Sequence, residues 1–156
     1  MARPGLLAGL CRGSWLLLGA ALFVAPPAWG DDALLLGAWE GGDRATRAIY
    51  GRLLVTPAFV KWSGSRANPA CRVRYRLVTR KEAEAYPDAL PGFDAATGVP
   101  GYTVFRLALQ RRACTRGRTA LQFAIPVAKP ACAELVTYDR RGRPVSWGHL
   151  DRPDGR

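Results

Sequence analysis

Few residues in this chain could make or break bonds, and their spacing limits what that chemistry could be. A single histidine, His149, stands two residues before Asp151 and three after Ser146. Alternate positions along a strand do not by themselves line up a nucleophile, a base and an orienting group. The carboxylate pairs Glu40 with Asp43 and Glu82 with Glu84 fall in turn regions. They lack the apolar surroundings that lift a carboxyl into the range of acid catalysis. No GxSxG, HExxH or phosphate-cradling glycine loop is present. The expected role is therefore non-enzymatic, with no catalytic residue and no cofactor.

The cysteines point to a covalent staple rather than a metal centre. Cys11 lies in the leading segment, and Cys71, Cys114 and Cys132 lie beyond it. No two form a CxxC pair, and with one histidine the chain does not offer the paired ligands of structural zinc. One disulfide and one leftover thiol is the simplest count for an exported chain.

The third group is basic. The formal charge is +11 and only three of the basic residues, Lys61, Lys81 and Lys129, are lysines. Such a surface favours acidic partners. Arg72, Arg74 and Arg76, with Arg80 beyond them, alternate along one segment. On a strand the first three would form a row spaced about 7 Å apart, able to meet phosphates or carboxylates. The same row would also serve as a solvated outer face that discourages edge-to-edge pairing.

Period-two alternation positions these residues. Cys71, Val73, Tyr75 and Leu77 oppose the arginines across one strand, and similar alternation covers 103–110 and 120–125. Weaker strands are expected over Ala33–Glu40, from Ile49 and Gly51 through Val55, and over Phe59–Trp62. Two more flank the Asp139–Arg143 turn, at Glu134–Tyr138 and Val145–Leu150, with Gly142 placed for positive φ. The result is an all-β domain: about eight antiparallel strands in a meander, forming a small barrel or a two-layer sandwich. One long loop, 81–101, opens with a possible helical turn at Lys81–Ala85 and then carries repeated proline and glycine. A loop of that length is either a functional lid or a plain insertion.

Strand direction selects the disulfide. If 71–80 and 103–113 are antiparallel neighbours, Cys71 and Cys114 share one end of the sheet, while Cys132 lies a strand length of about 26 Å away. Bridged Cα atoms must come within about 7 Å, so Cys71–Cys114 is the expected pair and Cys132 the free thiol. Strict alternation puts the two on opposite faces, which calls for a bulge near Arg111 and Arg112.

Leu36-Gly37-Ala38-Trp39 adds a resemblance. A Gly-x-Trp on the first strand of an exported antiparallel domain resembles the opening motif of lipocalins and the wider calycin barrels. That resemblance implies an eight-stranded barrel with an apolar cavity, whose floor the tryptophan closes beneath a late arginine; Arg152 is the position that would carry this role. Trp39, Trp62, Tyr75, Phe105 and Trp147 would then line a ligand cavity or, with Phe123, fill the core outright.

The first 30 residues have the pattern of a cleaved signal peptide. Arg3 and Arg12 precede an apolar run from Trp15 to Ala25, and small residues lead to a cleavage position after Gly30. The run is shorter than the roughly 20 residues of a membrane span. Residues 31–156 would form one domain, periplasmic or secreted and without a transmembrane segment. The leading expectation is a non-enzymatic β-barrel that binds a small apolar or amphipathic molecule. The alternative is an envelope interaction module that docks an acidic partner through Arg72, Arg74 and Arg76, with no nucleic acid involved.

Overall fold

In a computed structural model, which describes residues 32–65, 68–83, 101–153 and 155, the strands run up and down in sequence order and close on themselves. They are β1 (Gly37–Gly41), β2 (Arg52–Val55), β3 (Phe59–Trp62), β4 (Cys71–Ala83), β5 (Tyr102–Leu109), β6 (Ala120–Pro126), β7 (Cys132–Tyr138) and β8 (Pro144–Asp151). Closure is made by β1 against β8, with Glu40 opposite Asp151 and Gly41 opposite Leu150. The all-β architecture is thus a barrel, not a sandwich. The leading segment 1–30 and most of the long loop, 84–100, lie outside the described residues. Residues 81–83 extend β4 instead of opening a helical turn.

The alternation read from the sequence divides the wall. Trp39, Leu53, Val55, Val60, Trp62, Phe105, Leu107, Leu121, Phe123, Leu135 and Leu150 all turn inward into one buried core. Inside it, Trp39 meets Phe123 with ring centroids 6.3 Å apart, and Tyr50 meets Trp62 edge-on at 6.1 Å. A second buried cluster of Tyr102, Val104, Ala124, Val136 and Tyr138 lies on the outer side of β5–β7.

Two strand boundaries among the early elements are corrected. Ile49 and Gly51 do not begin a strand; a helix, α1 (Arg44–Tyr50), occupies the link between β1 and β2. Asp43 caps it by accepting from the Thr46 amide at 2.8 Å, and Gly51 ends it at φ 60°. Its buried residues, Thr46 and Tyr50, face the barrel end. A helix of seven residues is too short to display a 3.6-residue period. The first strand also starts later than expected, at Gly37, because that glycine takes φ 119° after a turn at 32–35.

The disulfide joins Cys71 to Cys114, with Cα atoms 5.4 Å apart, and Cys132 is free. The expected bulge near Arg111 and Arg112 is absent. β5 ends at Leu109, and a 3-10 turn at Ala113–Thr115 carries Cys114 back to the start of β4. The irregularity sits instead between Leu77 and Thr79, where Val78 is the extra residue. Among the described residues, no helix is long and apolar enough to cross a membrane.

Candidate functional site

The aromatic residues expected to line a cavity separate into three environments. Trp39, Trp62 and Phe105 are fully buried in the core. Tyr75 is half-buried at its edge and donates its hydroxyl proton to the Thr56 carbonyl at 2.8 Å. Burial, followed by the charge of Asp32, raises its pKa above the ordinary phenol value. Trp147 departs from the expectation: it faces outward, 46% exposed, opposite Val136. Its strand turns Ser146, Gly148 and Leu150 inward, and the small residue at 148 leaves room for Thr46 of α1.

The basic residues converge more than the sequence indicated. Arg72, Arg74 and Arg76 are all exposed on the outer face of β4. Arg72 lays its guanidinium over the Phe59 ring, 3.9 Å from the centroid. Arg72, Arg74 and Phe59 line a hollow of about 310 Å³ that also includes Arg112. Arg112 in turn borders a hollow of about 270 Å³ with Arg111, Arg118 and Arg140. Gly117, Arg118 and Arg140 are shared with a larger basin, about 580 Å³. That basin is lined by Arg116, Arg118, Arg140, Arg141 and Arg143, with Val145 and Ser146. The β5–β6 and β7–β8 connections build it at the disulfide end of the barrel. Arg76 lines none of these hollows.

Among the described residues, Asp139 is the single carboxylate lining the large basin. It accepts from the backbone amides of Arg141 and Arg143, and from the Arg143 guanidinium at 2.9 and 3.0 Å. The Arg143 amide bond leads in holding its carboxyl below the usual aspartate range. The carboxylate is thus spent on shaping the turn, and the remaining guanidinium groups set the sign of the basin. The loop arginines were visible in the sequence only as scattered charges; it is the β5–β6 and β7–β8 connections, side by side at one barrel end, that gather them.

A separate polar cluster lies on the outer face of β7 and β8. His149 sits between two carboxylates, with Nδ1 3.0 Å from Glu134 Oε1 and Nε2 3.1 Å from Asp151 Oδ1. The Glu134 hydrogen bond, working against burial and joined by both negative charges, raises the imidazole pKa above its ordinary value. Burial and the neighbouring Asp151 push the Cys132 thiol up as well. Ser146 does not join the cluster; it lies within hydrogen-bond reach of Thr137 and Tyr50. Glu134 was placed on a strand by the sequence but not singled out.

No family model matches this chain, and neither a curated protein nor a solved structure does.

Proposed function

We propose that this barrel is a binding protein for an acidic macromolecular surface, which docks on the arginine-lined end rather than inside the barrel. The observation that carries the reading is the basin itself: five arginines line about 580 Å³, and the one carboxylate among its lining residues is engaged in its own turn. Guanidinium groups held on short turns lose less freedom on binding than arginines on a flexible tail, and their planar forks suit phosphate, sulfate and carboxylate groups. The hollow with Arg72 and Arg74, linked to the basin through the one that Arg112 and Arg118 border, extends the same field along β4.

The small apolar ligand has less support. Trp39 on Phe123 and Tyr50 on Trp62 bring the inward rings against one another. Lipocalin-like kinship is proposed beside it, supported by Gly37, Trp39 and Arg152 meeting at one barrel end.

The test is retention on an immobilised polyanion over a salt series. Arg118→Ser, Arg140→Ser and Arg141→Ser together should weaken binding at least about tenfold at low salt and flatten its salt dependence. Replacing Lys61, Lys81 and Lys129 by serine removes the same formal charge elsewhere and should cost much less. Equal losses from the two triple variants would reduce the effect to net charge and sink the reading. Co-purification of an apolar molecule would restore the interior site.

A further inference from the structure

The register of β7 against β8 brings together a second chemistry that the arginine basin does not use. Cys132 lies opposite Asp151, and Glu134 opposite His149. Directly opposed residues have Cβ atoms about 5 Å apart, and all four of these share the outer face of the wall. One sulfur, one ring nitrogen and one carboxylate oxygen, from Cys132, His149 and Asp151, lie within 4.8 Å of one another. The His149 Nε2 to Asp151 Oδ1 separation is already 3.1 Å. Ligands about 2.0–2.3 Å from one tetrahedral ion stand about 3.4–3.6 Å apart, so small side-chain rotations would bring the third into place.

A buried group behind the ring is the independent observation. Glu134 is 3% exposed, and its Oε1 meets His149 Nδ1 at 3.0 Å. Its other oxygen, Oε2, is buried without a hydrogen-bond partner among the described residues. A carboxylate held this deep with an orphan oxygen is costly unless positive charge stands next to it. An imidazole whose Nδ1–H is directed at a buried carboxylate leaves Nε2 turned to the Cys132 and Asp151 side. Carboxylate, imidazole and ion in sequence form the outer-shell arrangement that fixes a metal-ligating histidine. Thiol nucleophile chemistry fits less well, because both ring nitrogens face carboxylates and neither is directed to receive the Cys132 proton.

We propose that Cys132, His149 and Asp151 form a surface site for a divalent ion of the zinc class, with Glu134 orienting the imidazole. Sulfur, nitrogen and oxygen donors together suit a borderline ion better than calcium or magnesium. Three protein ligands leave a fourth position for water or for a ligand from a partner. The site lies at the far end of the hairpin from Arg140 and Arg141, so it stands or falls apart from the anion-binding reading.

Tag-free protein with Cys132 reduced should be titrated with Zn²⁺ by calorimetry, and with Co²⁺ by absorption. The expected result is one equivalent per chain and a thiolate-to-cobalt charge-transfer band. Cys132→Ser and His149→Gln should each abolish the stoichiometric binding, and Cys132→Ser should also remove the band. Glu134→Gln should retain the band and weaken binding about 10- to 100-fold. Absence of the band in the unaltered protein overturns the proposal whatever the variants do. So does Zn²⁺ binding that survives either ligand substitution.

Discussion

The guanidinium of Arg152 lies 4.3 Å from the centroid of the Trp39 ring. It also donates to the Leu36 carbonyl at 3.1 Å and to the Leu34 carbonyl at 2.6 Å. Trp39 donates its own indole proton to Leu35 at 3.0 Å, so one end of the barrel is tied by two side chains to the same turn. Gly37 makes the approach possible. A Cβ there would stand 2.8 Å from Arg152 Nη1, at a φ of 119° that an L side chain rarely adopts.

Arg152→Ala should therefore lower stability by about 2 kcal/mol, combining a lost cation–π contact with charged hydrogen bonds to two carbonyls. Arg152→Lys should recover little of it, since an ammonium lacks the planar fork. Urea denaturation followed by tryptophan fluorescence would measure both variants. A loss under about 0.5 kcal/mol for the alanine variant would mean that the stacking contributes nothing net.

The Cys71–Cys114 bond closes a loop of sequence separation 43. Chain-entropy reasoning assigns about 4 kcal/mol to a loop of that size. The double variant Cys71→Ser/Cys114→Ser should lose most of this in urea denaturation, while unaltered protein treated with reductant should move to the same midpoint. Alkylation before reduction, followed by peptide mapping, should label Cys132 and neither bridged cysteine. A labelled Cys114 would contradict the turn at Ala113–Thr115.

Much of the barrel was legible because strand alternation is a local signal and hairpins fix register. Phe59–Trp62 and the Asp139–Arg143 turn fall where sequence placed them, and Gly142 has its positive φ of 72°. What failed depended on distant partners. Trp147 looked like a core residue because it is the largest side chain of its strand. The inward position belongs to Gly148, since α1 comes up against it, and α1 itself left no periodic trace. The Cys132–Glu134–His149–Asp151 cluster needed the β7–β8 register to the residue, and a one-residue slip would have turned two of its members inward. The arginine basin needed the β5–β6 and β7–β8 connections in place at once.

Asp139 gives a pH test of the turn. Its folded carboxyl titrates below the ordinary value, led by the Arg143 amide; desolvation opposes it, and the Arg143 side chain and the Arg141 amide add to the lowering. A depressed carboxylate contributes order that is fully present above the unfolded pKa of about 4 and is lost as pH falls through the folded value. The amide resonances of Arg141 and Arg143 should shift with a midpoint below about pH 3.9, and Asp139→Asn should abolish that titration. A midpoint at or above the ordinary aspartate value would mean that the two amides do not bind the carboxylate in solution.

Gly148 and Thr46 provide the sharpest test of how α1 closes the barrel. A Cβ at 148 would stand 2.0 Å from Thr46 Oγ1 and 3.0 Å from its Cβ and Cγ2, a collision with a side chain that is itself buried. Thr46 cannot simply rotate away, because its Oγ1 donates to Asp43 at 2.5 Å and its amide is held by the same carboxylate. Gly148→Ala should therefore cost about 2–3 kcal/mol by overpacking, and Thr46→Ala about 1 kcal/mol through the lost hydrogen bond. Together they should cost less than their sum by about 1 kcal/mol, since removing Oγ1 and Cγ2 relieves the worst of the clash. The relief should be incomplete, because the Thr46 Cβ remains. Strict additivity in the double-mutant cycle would show that the two residues do not meet, and the inward register of Gly148 would have to be abandoned with it.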